Sequence, residues 1–295
     1  MKAATDGMEI GWEAFIGWGS RFLSLPGYSF DREERTYKVR AVEPLQQARA
    51  ALLADKTWSV PLGKGFTNPS NYLVSHWAFV PFLDWCRDKP DHAASALQHI
   101  WAGADSDAEQ RLDRFSELLP KQVLPGQGGR CNLGAYLLGA IDPFRWPNYR
   151  VTATELAFEL TRTPPREEGA SVGRRYGHAL AFFDELHQRA AEAGLPARDR
   201  LDAQGLMWLT VTWDEPKRLS PEVWAAYQEF LSVPSKLHKK AKKSVPSKPL
   251  PPPLPPARVC PLSATDDAVR PVAWGGERWT FVCEGCGAHT DPYTF

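Results

Sequence analysis

Asn71-Tyr-Leu-Val-Ser-His-Trp-Ala-Phe-Val-Pro-Phe-Leu-Asp-Trp85 sets apolar residues three and four positions apart, with Leu73, Trp77, Val80 and Leu83 on one face. That spacing predicts an amphipathic helix. The same period recurs on both sides of it. Upstream, Trp12, Phe15, Ile16 and Phe22 repeat at helical intervals with Glu13 and Arg21 opposite. Downstream, residues 93–101, 108–119, 134–141, 154–160, 174–193 and 221–230 follow suit. Asp31 reads as the N-cap of a helix through Arg32, Glu33 and Glu34, which Pro44 should bend or interrupt before residues 46–53. Asp107, Thr152 and Ser220 read as further helix starts, and proline at 221 suits a first turn. Residues 206–213 have some strand character, but 204–208 fit a buried helix equally well. The expected fold class is mainly α: a large helical domain over residues 1–232 with a tryptophan-rich core.

Composition narrows the classes. The chain has 295 residues, 43% hydrophobic and 24% charged, which is globular and not disordered. Thirty-five basic residues balance thirty-five acidic ones, so net charge points to no partner. No apolar window is long enough for a membrane span, and residues 1–11 lack a signal core, so a cytoplasmic protein is expected. The five cysteines are not spaced as a secreted disulfide framework.

The even balance hides a local excess. Lys236-Leu-His-Lys-Lys-Ala-Lys-Lys-Ser runs into Pro249-Leu-Pro-Pro-Pro-Leu-Pro-Pro. Proline lacks the amide donor that helix and sheet need, so residues 233–258 are expected to be a basic, solvated linker ending in a polyproline strut. Beyond it, residues 259–295 should form a small zinc-ribbon-like β tail. Arg278-Trp-Thr-Phe-Val-Cys alternates as a strand does and turns at Cys283-Glu-Gly-Cys286-Gly. Cys283 and Cys286 complete one knuckle. The other is half present, with Cys260 followed by Ser263, and His289 is the best fourth ligand on chemical grounds. Four protein ligands leave no open position, so the zinc would be structural and would fold a tail too short to bury a core.

No catalytic constellation emerges. The phosphate-binding loop, the G-x-S-x-G elbow and the H-E-x-x-H pair are all absent from the sequence. Asp202 with Glu215-Pro-Lys217 can be drawn as a nuclease pattern, but it needs adjacent strands, and Pro216 would remove a ladder donor. Cys86 and Cys131 read as core thiols.

One segment carries a resemblance. Leu124-Pro-Gly-Gln-Gly-Gly-Arg130 leads into Asn132-Leu-Gly-Ala-Tyr-Leu-Leu-Gly-Ala-Ile and then Asp142-Pro-Phe-Arg-Trp-Pro-Asn-Tyr-Arg150. This resembles the helical amino-terminal segment of McrB-like AAA-type restriction ATPases. Tyr37-Lys, Asn71-Tyr-Leu-Val, Phe82-Leu-Asp-Trp85 and Arg175-Tyr-Gly-His extend the likeness over residues 10–213. The ATPase module of that family is missing here, so nucleotide hydrolysis does not carry over. A modification-dependent restriction or phage-defence setting does. Within the same stretch, Leu124-Pro-Gly-Gln-Gly resembles the hairpin of helix-hairpin-helix DNA glycosylases, whose glycine turn offers amides to a DNA phosphate. Asn148 stands near the expected place of their catalytic aspartate and cannot serve as a carboxylate, while Asp142 comes early.

The combined expectation is a non-catalytic nucleic-acid-binding sensor or adaptor of a bacterial defence system. DNA would meet Gly126, Gly128 and Arg130 together with Lys239, Lys240, Lys242 and Lys243. Two alternatives stand beside it. One is a protein-interaction module recruiting a separate ATPase or nuclease. The other is a glycosylase-like enzyme using Asp142.

Overall fold

The computed structural model describes residues 10–67, 73–102 and 107–244, with side chains through 235, and the backbone of residues 269–275, 278–283 and 293–294. Among the described residues there are eleven α-helices. They are α1 (Trp12–Leu23), α2 (Tyr37–Leu53), α3 (Ser59–Thr67), α4 (His76–Asp88), α5 (Pro90–Trp101), α6 (Ala108–Leu118), α7 (Gln127–Leu138), α8 (Val151–Thr161), α9 (Val172–Glu192), α10 (Arg200–Thr212) and α11 (Pro221–Ser244). A π-helical segment, Asp31–Thr36, runs directly into α2. The chain divides into two compact units, Met1–His238 and Lys239–Phe295. In the second, β1 (Val269–Gly275) pairs antiparallel with β2 (Arg278–Cys283), and β3 (Tyr293–Thr294) pairs with β2.

The first unit is built around α7. Every residue from Arg130 to Leu138 is buried, because α2, α4, α5, α6, α8 and α9 all pack against this helix. A helix covered on all sides needs no polar face. Tyr136 ties two neighbours to it by donating to the carbonyls of Ala41 at 2.9 Å and Gly65 at 2.7 Å. Trp101 does the same from α5, with its indole N–H on the carbonyl of Leu137 at 2.8 Å. A second aromatic cluster joins α1 to α11. Phe22 stacks on Trp213 at 4.8 Å and meets Tyr227 edge-on at 5.0 Å.

Helix starts follow the capping chemistry in part. Asp107 accepts from the amide of Glu109, and Ser220 from that of Val223, as expected. Thr152 does not cap: α8 begins one residue earlier, at Val151. Nor does Asp31, because Phe30 before it is already helical and the Asp31 carboxylate pairs with Arg198 instead. Pro44 sits inside an unbroken α2, held by the burial of Ala41, Val42, Leu45 and Ala48 around it.

Two elements differ from the sequence expectation, and a third, open between strand and helix, is settled. The buried stripe of α4 is Ala78, Phe82, Trp85 and Cys86, while Trp77 is 86% exposed. Leu73 precedes the helix, so counting from it set the phase of the stripe wrongly. Residues 206–213 are largely helical, within α10. Their threonines accommodate the helix by bonding back one turn, Thr210 to the carbonyl of Leu206 and Thr212 to that of Trp208, both at 2.8 Å. Helix α11 continues past Phe230 to Ser244, so the lysine run is helical.

Candidate functional site

The π-helical turn before α2 and the start of α10 together carry a dense polar network. Lys38 is only 2% exposed, and its ammonium donates to Glu34 Oε2 at 2.8 Å and Gln204 Oε1 at 2.7 Å. Burial pushes the Glu34 carboxyl above its usual range, against the opposing pull of Lys38. One face away, Arg35 reaches Asp199 and Asp202, and Arg198 also holds Asp202. Burial would raise the Asp202 carboxyl, but the hydrogen bonds from Arg198 and Arg35 outweigh it and hold the group low.

The Glu34–Lys38–Gln204 trio forms one wall of a cleft of about 600 Å³, which Tyr37, Arg150 and Trp208 also line. The Arg150 guanidinium lies 5.3 Å from the Trp208 ring centroid. These two residues also border a second cleft of about 440 Å³, over Asn132, Ser75 and the first turn of α7. Between the clefts is a knot of amides. Asn132 Nδ2 donates to the carbonyls of Leu73 at 2.9 Å and Tyr149 at 2.6 Å, and Asn148 Nδ2 donates to that of Leu73 at 2.8 Å. Asn148 thus has a packing role that fixes the Asp142–Arg150 turn against α7.

The residues expected from the sequence are distributed as follows. Gly126 is the N-cap of α7, in extended conformation, and Gly128 lies in the first turn against Val151. Gly126 therefore opens a helix, and Gly128 lets it approach α8 closely. Arg130, in the same turn, is 5% exposed. Its guanidinium donates to the carbonyls of Leu124 at 2.6 Å, Pro120 at 3.0 Å and Ser116, so these donors hold the loop after α6. Asp142 accepts from the amides of Phe144 and Arg145 within its own turn. Asp202 lies on a helix and Glu215 before a 3₁₀ turn, so the paired strands that the nuclease pattern requires do not form. Cys86 and Cys131 are buried free thiols, and burial pushes Cys86 up to about 12.

Lys239, Lys240, Lys242 and Lys243 occupy the last turns of α11. Cys260, Cys286 and His289 lie outside the described residues, and Cys283 ends β2. Among the described residues no three His, Cys, Asp or Glu side chains are grouped to hold a metal, and no helix is long and apolar enough to cross a membrane.

Glu34, Lys38 and Gln204 were not singled out from the sequence. The Glu34–Lys38 spacing of four is a usable signal, but Gln204 lies far along the chain, and only folding brings it to the pair. Comparison with protein families, with curated proteins and with solved structures finds no match for this chain.

Proposed function

We propose that this protein is a non-catalytic nucleic-acid-binding sensor or adaptor, acting in a restriction or phage-defence setting. The observation that carries the binding half is the continuation of α11. A helical backbone through Ser244 sets residues 239, 242 and 243 at the i, i+3, i+4 spacing of one helix face, with 240 beside them. All four are lysines. A stripe of this kind suits sequence-independent contact with phosphates. The defence setting rests on the resemblance to McrB-like segments, in the order of its motifs from Tyr37 to His178.

The test is a salt titration of duplex DNA binding by the full chain. Each lysine that engages a phosphate should add about 0.9 to the slope of log affinity against log salt. Replacing Lys239, Lys240, Lys242 and Lys243 with glutamine should flatten that slope and weaken all duplex sequences alike. An unchanged slope would favour the alternative, a protein-interaction module.

The tail belongs to the same proposal. Cys260, Cys283, Cys286 and His289 would hold one structural zinc. Elemental analysis of chelator-free protein should then find about one equivalent per chain, lost on Cys283→Ser. Protein that carries no zinc when so prepared would remove the metal from the proposal.

A further inference from the structure

Gln204 is 1% exposed, and among the described residues its side chain has one hydrogen bond, the one it accepts from Lys38 at Oε1. Because an ammonium can only donate, the amide must face Lys38 with its oxygen, which turns Nε2 the other way. That Nε2 donates to nothing among the described residues, yet it is not among the sealed, partnerless polar atoms. It therefore opens on the cleft that Gln204 lines. Glu34 is in the mirror situation. Oε2 is taken by Lys38, and Oε1 has no donor among the described residues. Lys38 thus holds a carboxylate and an amide side by side, each with its second polar atom unused.

A donor and an acceptor that stand side by side at a cleft with no protein partner are free to pair with a ligand, and held on nearly buried side chains they are fixed in position for one. The remaining lining is suited to a flat ring. Tyr37 and Trp208 supply aromatic surface, and about 600 Å³ falls within the range of small-molecule sites. We propose that this cleft binds a planar nitrogen heterocycle through an edge that carries an acceptor next to an N–H donor, the edge presented by nucleobases. Gln204 Nε2 donates to the ring acceptor, Glu34 Oε1 takes the N–H, and Trp208 covers the ring face. Two sources share this chemistry, a free nucleoside and a base exposed in a single strand. The site is distinct from the lysine helix and stands whether or not that helix binds DNA.

Calorimetric titration of the full chain with adenosine, cytidine, guanosine and uridine, and with a mixed-sequence single-stranded oligonucleotide, tests the inference. At least one probe should bind at one site per chain. Nucleoside binding identifies a free ligand, and binding of the strand alone identifies a base within a polymer. Gln204→Leu removes the donor, and Trp208→Ala removes the ring face while leaving the Glu34–Lys38–Gln204 trio intact. Each should weaken binding about tenfold, the effect of losing one buried hydrogen bond or stacking contact. Glutamine replacement of Lys239, Lys240, Lys242 and Lys243 should leave nucleoside affinity unchanged, which separates this site from the proposed DNA contact. Failure of every probe to bind the folded wild-type chain, or wild-type affinity in either folded variant, would overturn it.

Discussion

Gly173→Ala is expected to destabilise the helical unit by about 3 kcal/mol or more, at the upper end of what overpacking does. Helix α9 crosses α6 at Gly173, where a Cβ would lie 2.6 Å from the carbonyl carbon and 2.8 Å from the Cα of Glu109. Those are main-chain atoms of a helix that also packs against α5 and α7, so neither helix can yield alone. Asp113 fixes the same junction by accepting from the amide of Gly173 at 2.7 Å and the hydroxyl of Ser171 at 2.8 Å. Gly177, one turn on, provides the internal control. The nearest atoms that an added Cβ would meet there all belong to the side chain of Glu109, whose end can rotate away. The helix propensity gained by alanine, about 1 kcal/mol, should leave Gly177→Ala close to neutral. Urea unfolding of the two variants distinguishes them. Equal effects would show that the crossing is looser than this geometry requires.

Asp202→Asn should destabilise by about 3 kcal/mol at neutral pH, as breaking a buried ion pair from one side does. The Asp202 side chain is fully buried. It accepts from Arg35 at 2.6 Å, from the Arg198 side chain at 2.7 Å and from the Arg198 amide at 2.9 Å. An asparagine would keep the shape, lose the charge and turn an N–H₂ toward donors. The pH dependence has a definite sign. Because the folded carboxyl titrates below its ordinary value, its stabilisation is complete above about pH 4 and is lost as pH falls through the folded value. The wild type should therefore lose stability on acidification more steeply than Asp202→Asn, and the gap between them should close. A gap of constant size down the acid limb would mean that the carboxylate charge is not what joins the π-helical turn to α10.

The helical class of this protein was legible in local residue order, because a period of three to four survives almost anywhere a helix has one wet side. Residues 93–101, 108–119 and 174–193 each matched an observed helix to within three residues at either end. Capping was legible at Asp107 and Ser220, where side chain and amide are neighbours in sequence. Helix α3 was not anticipated. Pro61, Gly63 and Gly65 weaken its propensity, and the hydroxyl of Tyr136 on the carbonyl of Gly65 helps anchor it. The orientation of α4 was misread for a related reason. Apolar residues occupy more than one side, and which side is buried depends on the partners that arrive. For the candidate site the division is sharper still. Glu34 and Lys38 are one helical turn apart, but Gln204, Arg150 and Trp208 come from more distant segments. Arg130, which looked from its glycine-rich surroundings like a phosphate ligand, is turned inward by the carbonyls of Ser116, Pro120 and Leu124. Periodicity and caps act over a few residues, so the order of amino acids carries them. Burial and pairing act between segments that meet only on folding, and these set which polar groups hold the fold and which are left open to a ligand.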